Sequence, residues 1–117
     1  MAVLEEVEPD GTSRFVTDNA IRASHRAINN PPFDHFGLPW HGNYEKDAAI
    51  LPPEPLEIQL DLKPVGIRIE KGNRIRLTIA GADALSGTAP QAKTPRAITI
   101  YRNRQNVSLI ELPTVTF

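Results

Sequence analysis

The 117-residue sequence has no cysteine, which removes disulfide frameworks, thiolate zinc sites and a cysteine nucleophile together. The compartment stays open, because a thiol-free chain is compatible with either redox state. Charge of one sign is also missing: 13 Lys and Arg stand against 14 Asp and Glu, a formal net charge of -1 and a poor electrostatic footprint for a nucleic-acid partner. No apolar run approaches the ~20 residues needed to span a bilayer. The start Met1-Ala2-Val3-Leu4-Glu5-Glu6 lacks the basic and apolar regions of a secretory leader. Neither a nucleic-acid nor a membrane partner is expected.

Glycine clusters are absent as well. The seven glycines are scattered, so there is neither a phosphate-binding loop nor a dinucleotide fingerprint, and no cofactor is expected. What the chain does have is 11 prolines beside those glycines, a density of punctuation that interrupts helices and favours short strands joined by turns. With 40% hydrophobic and 23% charged residues, it has the composition of one globular domain over 1–117.

Val3 to Val7 reads as a strand, Glu8-Pro9-Asp10-Gly11 as a turn, and Ser13 to Thr17 as a second strand. Ala20 to Arg26 fits a strand or one helical turn and is taken as extended. From about 29 to 55 the chain becomes a long loop rich in proline and aromatics, with a short helix around 44–49. In Leu56, Ile58, Leu60 and Leu62 the apolar residues alternate with Glu57, Gln59 and Asp61, the period of a half-buried strand. Val65, Ile67 and Ile69, the turn Glu70 to Asn73, and Ile75, Leu77 and Ile79 predict a hairpin. Leu60 and Leu77 are expected in the core. After a second loop over 81–96, Ala97 to Tyr101, the polar turn Arg102 to Asn106, and Val107 to Leu112 predict another hairpin. Strands with one apolar face need a second layer, so the expected architecture is an antiparallel β-sandwich.

Chemistry is sparse. His35 and His41 lie near Asp34 and Glu45, but the spacing matches no defined metal site, and none is expected. Ser24 precedes His25, yet neighbours on a strand point to opposite faces, which denies this serine that base and makes the pair structural. Ser13 and Ser86 lack the Gly-x-Ser-x-Gly elbow, so no nucleophile is named and no catalytic residue is assigned. The Glu5-Glu6 pair reads as edge charge. Arg102 and Arg104, with Lys93 and Arg96, read as a solvated hairpin tip. The aromatics of the long loop offer either a sugar-stacking platform or a packing surface.

The order of motifs resembles the C-terminal, non-catalytic jelly-roll domain of the cocaine-esterase and X-Pro dipeptidyl-peptidase group of α/β-hydrolases. The residues that carry the resemblance are Leu4 to Gly11, Ile21 to Arg26, Gly37-Leu38-Pro39-Trp40-His41 and Lys71 to Asp83. Asn73 departs from the family, which usually has His there; so do Ile69 and Glu70, near which an aromatic often stands. The resemblance implies a galactose-binding-like jelly-roll β-sandwich that lacks its first strands at Met1. It also implies a hydrolase triad carried on a catalytic α/β-hydrolase domain or chain, acting on ester or X-Pro peptide bonds. The role implied is to brace that domain and help wall its substrate site. The candidate partner- or substrate-facing loop residues are Phe33, His35, Phe36, Trp40, His41 and Tyr44. Sheet edges left open would make the chain a homo-oligomer. A stand-alone carbohydrate-binding or protein-interaction module is the alternative.

Overall fold

A computed structural model describes residues 1–81 and 97–115, and their regular structure is all β apart from two short 3-10 turns. Strands β1 (Ala2–Val7), β2 (Ser13–Asn19) and β3 (Arg74–Ile79) form one antiparallel sheet in the order β2-β1-β3. The β1–β2 hairpin follows from its turn chemistry. Gly11 takes φ +93°, the left-handed region that glycine enters without penalty, and its N–H reaches Glu8 O at 3.0 Å. A bulge follows: Leu4 faces Thr17 but Glu5 faces Phe15, so Val16 is left without an opposite number.

The pairing sorts side chains by face. Ala2, Leu4 and Glu6 share a face with Ile79, Leu77 and Ile75, their ladder partners on β3. Ala2, Leu4 and Val7 are the buried apolar residues among those described. Glu6, also buried, takes the Glu70 N–H at 3.0 Å and Asn73 Nδ2 at 2.6 Å on one oxygen, which ties the 70–73 turn to β1. These bonds hold its carboxyl below the usual range, Asn73 contributing most.

Several expectations change. Ala20 to Arg26 is not extended, since Ala23–His25 forms a 3-10 turn closed by His25 N–H to Arg22 O at 2.8 Å. The Glu70 to Asn73 turn forms, with Gly72 at φ +96°, but β3 pairs with β1, and 65–69 joins no ladder. Nor does 56–62, whose backbone is held by side chains instead. The turn near Arg102 forms through Asn103 N–H to Asn106 O at 3.2 Å, yet 97–101 and 107–112 are exposed and unladdered. Leu77 is 40% exposed and Leu60 half-buried, so the core lies in β1 rather than in the two strands expected to form it. The 44–49 helix is a 3-10 turn, Glu45–Asp47. The loop from 82 to 96, with Ser86, Lys93 and Arg96, lies outside the described residues.

The described residues therefore form a partial β-sandwich, one open sheet with a thin core. No helix among the described residues is long and apolar enough to cross a membrane.

Candidate functional site

The long loop folds back on itself rather than wandering. Asn29 N–H reaches Trp40 O at 2.9 Å, Gly42 N–H reaches Asn29 Oδ1 at 3.1 Å, and Ile28 and His41 form an isolated antiparallel bridge. This closure, set beside the 23–25 turn and the extended 59–61 segment, frames a shallow cleft of roughly 580 Å³ lined by Arg22, His25, His35, Trp40, His41 and Asp61, among others.

All three imidazoles at this cleft are occupied. His25 lies between Ser24 Oγ, 3.0 Å from Nδ1, and Tyr44 O, 3.3 Å from Nε2. A carbonyl only accepts, so Nε2 carries the proton and Nδ1 accepts from the Ser24 hydroxyl. This corrects the expectation that Ser24 and His25 diverge: a 3-10 turn, unlike a strand, brings adjacent side chains to one side. The arrangement is still a poor nucleophile, because the ring's second nitrogen meets a backbone carbonyl and no carboxylate among the described residues orients it. His41 stands between two backbone carbonyls, Ala27 O at 3.0 Å and Gln59 O at 2.8 Å. The imidazolium donates to both, whereas the neutral ring carries one N–H. His35 Nε2 faces Asp61 Oδ2 at 3.7 Å. Among the described residues no group of three His, Cys, Asp or Glu side chains is arranged to hold a metal ion.

The aromatics divide. Phe33 packs edge-on against Trp40, centroids 6.2 Å apart and planes at 84°, and edge-on against His35 at 5.7 Å. Crossed rings present no flat platform to a sugar. Tyr44 is exposed, with Lys46 Nζ 5.7 Å from its ring centre. Phe36 is 85% exposed at a turn where both it and Gly37 have left-handed φ, +55° and +73°. Asp34 Oδ1 takes the Phe36 N–H at 2.9 Å, and Leu38 N–H closes onto His35 O at 3.0 Å. A phenylalanine in that conformation is strained, and the two hydrogen bonds that hold the turn leave its apolar ring in solvent.

Of the six loop residues singled out from sequence, His35, Trp40 and His41 reach the cleft; Phe33 backs it through Trp40, and Phe36 and Tyr44 point elsewhere. Sequence reasoning missed Arg22, His25 and Asp61. A turn reading of Arg22 to His25 would have brought two of them in; Asp61 had no local signal, since its place depends on contacts with β2.

Comparison with known proteins identifies the family. A family described as X-Pro dipeptidyl-peptidase C-terminal non-catalytic domain matches residues 1–109. The chain is 34% identical over 120 residues to proteins named "Putative serine esterase" from Mycobacterium bovis (strain ATCC BAA-935 / AF2122/97) and Mycobacterium tuberculosis (strain CDC 1551 / Oshkosh), a match covering 96% of this chain and 18% of each relative. The chain thus spans less than a fifth of the length of these relatives. No solved structure matches it.

Proposed function

We propose, from the premise that this chain belongs to the family of X-Pro dipeptidyl-peptidase C-terminal non-catalytic domains, that it is an accessory domain of a serine hydrolase. It braces a catalytic α/β domain that cleaves ester or X-Pro peptide bonds and helps wall that domain's substrate site. The observation that carries this reading is the family match over 1–109, together with relatives named as serine esterases. Physical features support it. Ile75, Leu77 and Ile79 leave an apolar sheet face 40–47% exposed, the kind of surface that a neighbouring domain covers. Phe36, held out of the 29–55 loop by a strained turn, suits the aromatic anchor of such a contact. Homo-oligomerisation through an open sheet edge belongs to the same proposal.

The test is p-nitrophenyl ester hydrolysis by this chain alone and with the catalytic α/β domain of a matching esterase. The chain alone is expected to be inactive, to bind the catalytic domain and to raise its thermal midpoint. Ester turnover by the chain itself, lost in Ser24→Ala, would replace the accessory role with a catalytic one at Ser24 and His25.

A further inference from the structure

The extended segment 56–63 belongs to no ladder, yet one of its two edges is held along its length. The carbonyls of Gln59, Asp61 and Lys63 accept from His41 Nε2 at 2.8 Å, Asn19 Nδ2 at 2.8 Å and Thr17 Oγ1 at 2.8 Å. Lys63 N–H also donates to Asp18 O at 3.3 Å. In an extended chain the backbone groups of residues two apart point to the same side, so these bonds define the side facing β2 and His41. The N–H and C=O groups of Ile58, Leu60 and Leu62 point the other way, and among the described residues none has a partner. Three side chains thus hold a strand in place, and among the described residues its outer edge is open.

That edge is self-complementary. Setting a second copy antiparallel with Leu60 opposite Leu60 places every outward residue against an outward residue: Leu60 with Leu60, and Ile58 with Leu62. On the opposite face Gln59 then meets Asp61, and Glu57 meets Lys63, an opposite-charge pair on each side of the two-fold axis. Lys63 already binds Asp18 at 2.6 Å, but its side chain is 65% exposed and its ammonium has donors left. Pro64 ends the segment where this pairing ends. Of the sheet's own edges, β2 already meets Lys63 through Asp18, and β3 carries Arg74 and Arg76 but no acid, with Arg76 already paired to Glu5 of β1, so β3 offers a second copy no opposite-charge pair.

We propose that the Ile58–Leu60–Leu62 edge is the self-association site of this chain, with two copies pairing antiparallel about Leu60. This deepens the homo-oligomer part of the reading above and is independent of its hydrolase part. The register, not only the fact of association, is open to test, because the chain has no cysteine and an introduced thiol reports on its own position alone.

Sedimentation at rising micromolar concentration is expected to show a reversible dimer that weakens with salt, as the Glu57–Lys63 pairs require. Leu60→Cys should form an intermolecular disulfide about tenfold or more faster than Glu57→Cys. Two thiols introduced at Leu60 of paired copies would sit about 5.5 Å apart at Cα, within disulfide reach, whereas two introduced at Glu57 would lie about 20 Å apart. Ile58→Pro removes an outward N–H that is unused in the single chain, and should give a monomer with its thermal midpoint preserved. A dimer that survives Ile58→Pro and cross-links equally through Glu57→Cys and Leu60→Cys would overturn the register while leaving self-association through another surface. A monomer at every concentration would overturn both, with no bearing on the accessory role. Preferential cross-linking of the Leu60→Cys variant to a co-expressed catalytic chain would assign the edge to that partner and overturn the proposal.

Discussion

Arg76 grips the Glu5 carboxylate directly across the β1–β3 ladder, Nε to Oε2 at 2.9 Å and Nη2 to Oε1 at 3.0 Å. Ser13 Oγ and Thr78 Oγ1 complete the shell at 2.8 Å each, so one acid joins all three strands of the sheet. Arg76, then Ser13 and Thr78, hold the Glu5 carboxyl down from 4.5 to about 2. A depressed carboxyl contributes stability that is complete above its unfolded value and is lost as pH falls through the folded one.

Thermal midpoints of the native chain and Glu5→Gln should therefore differ most above about pH 4.5 and converge near pH 2. Glu6 and Asp10, whose carboxyls are also lowered, keep some acid sensitivity in the variant. A constant gap between the two curves down to pH 2 would show that Glu5 acts through its shape rather than its charge.

The core is expected to be narrow. Leu4→Ala, at a residue 7% exposed, should cost about 2–5 kcal/mol in urea unfolding, whereas Leu77→Ala, at 40% exposure, should cost about 1 kcal/mol or less. Equal losses would mean that another layer covers the β3 face in solution.

Thr17→Val keeps the shape of a buried side chain and removes the donor to Lys63 O. The carbonyl left without its partner should cost about 1–3 kcal/mol, and the Lys63 amide should exchange faster with solvent. Unchanged exchange at Lys63 would show that the 56–63 segment is held by its other contacts.

Phe36→Asn should stabilise the isolated chain by about 1 kcal/mol, because asparagine enters the left-handed region more readily than phenylalanine. The same variant should weaken binding to the catalytic domain, measured by calorimetry. A variant that is both more stable and equally able to bind would remove Phe36 from the interface.

Turn chemistry was the most legible part of the molecule. Asp10-Gly11 and Lys71-Gly72 mark turns that form, because glycine alone enters positive φ freely and the choice is made within four residues. The strands flanking the first turn were legible for the same reason. Ser24 and His25 were misread because a residue pair takes its geometry from its element, and a single turn between Arg22 and His25 reverses the conclusion drawn from a strand.

The amino-acid sequence by itself determined an all-β chain without cysteine chemistry, the turns at Gly11 and Gly72, and, through its motif order, the family to which the chain belongs. Tertiary structure alone decided that β3 pairs with β1, that Glu5 gathers four donors, and that the carbonyls of 59, 61 and 63 are taken by side chains from β2 and the loop. The physical reason is range. Alternation in Leu56 to Leu62 specifies which way side chains point, but a strand's hydrogen bonds run sideways to partners over 40 residues away from Asn19 and Thr17, and no local pattern encodes which edge they will meet.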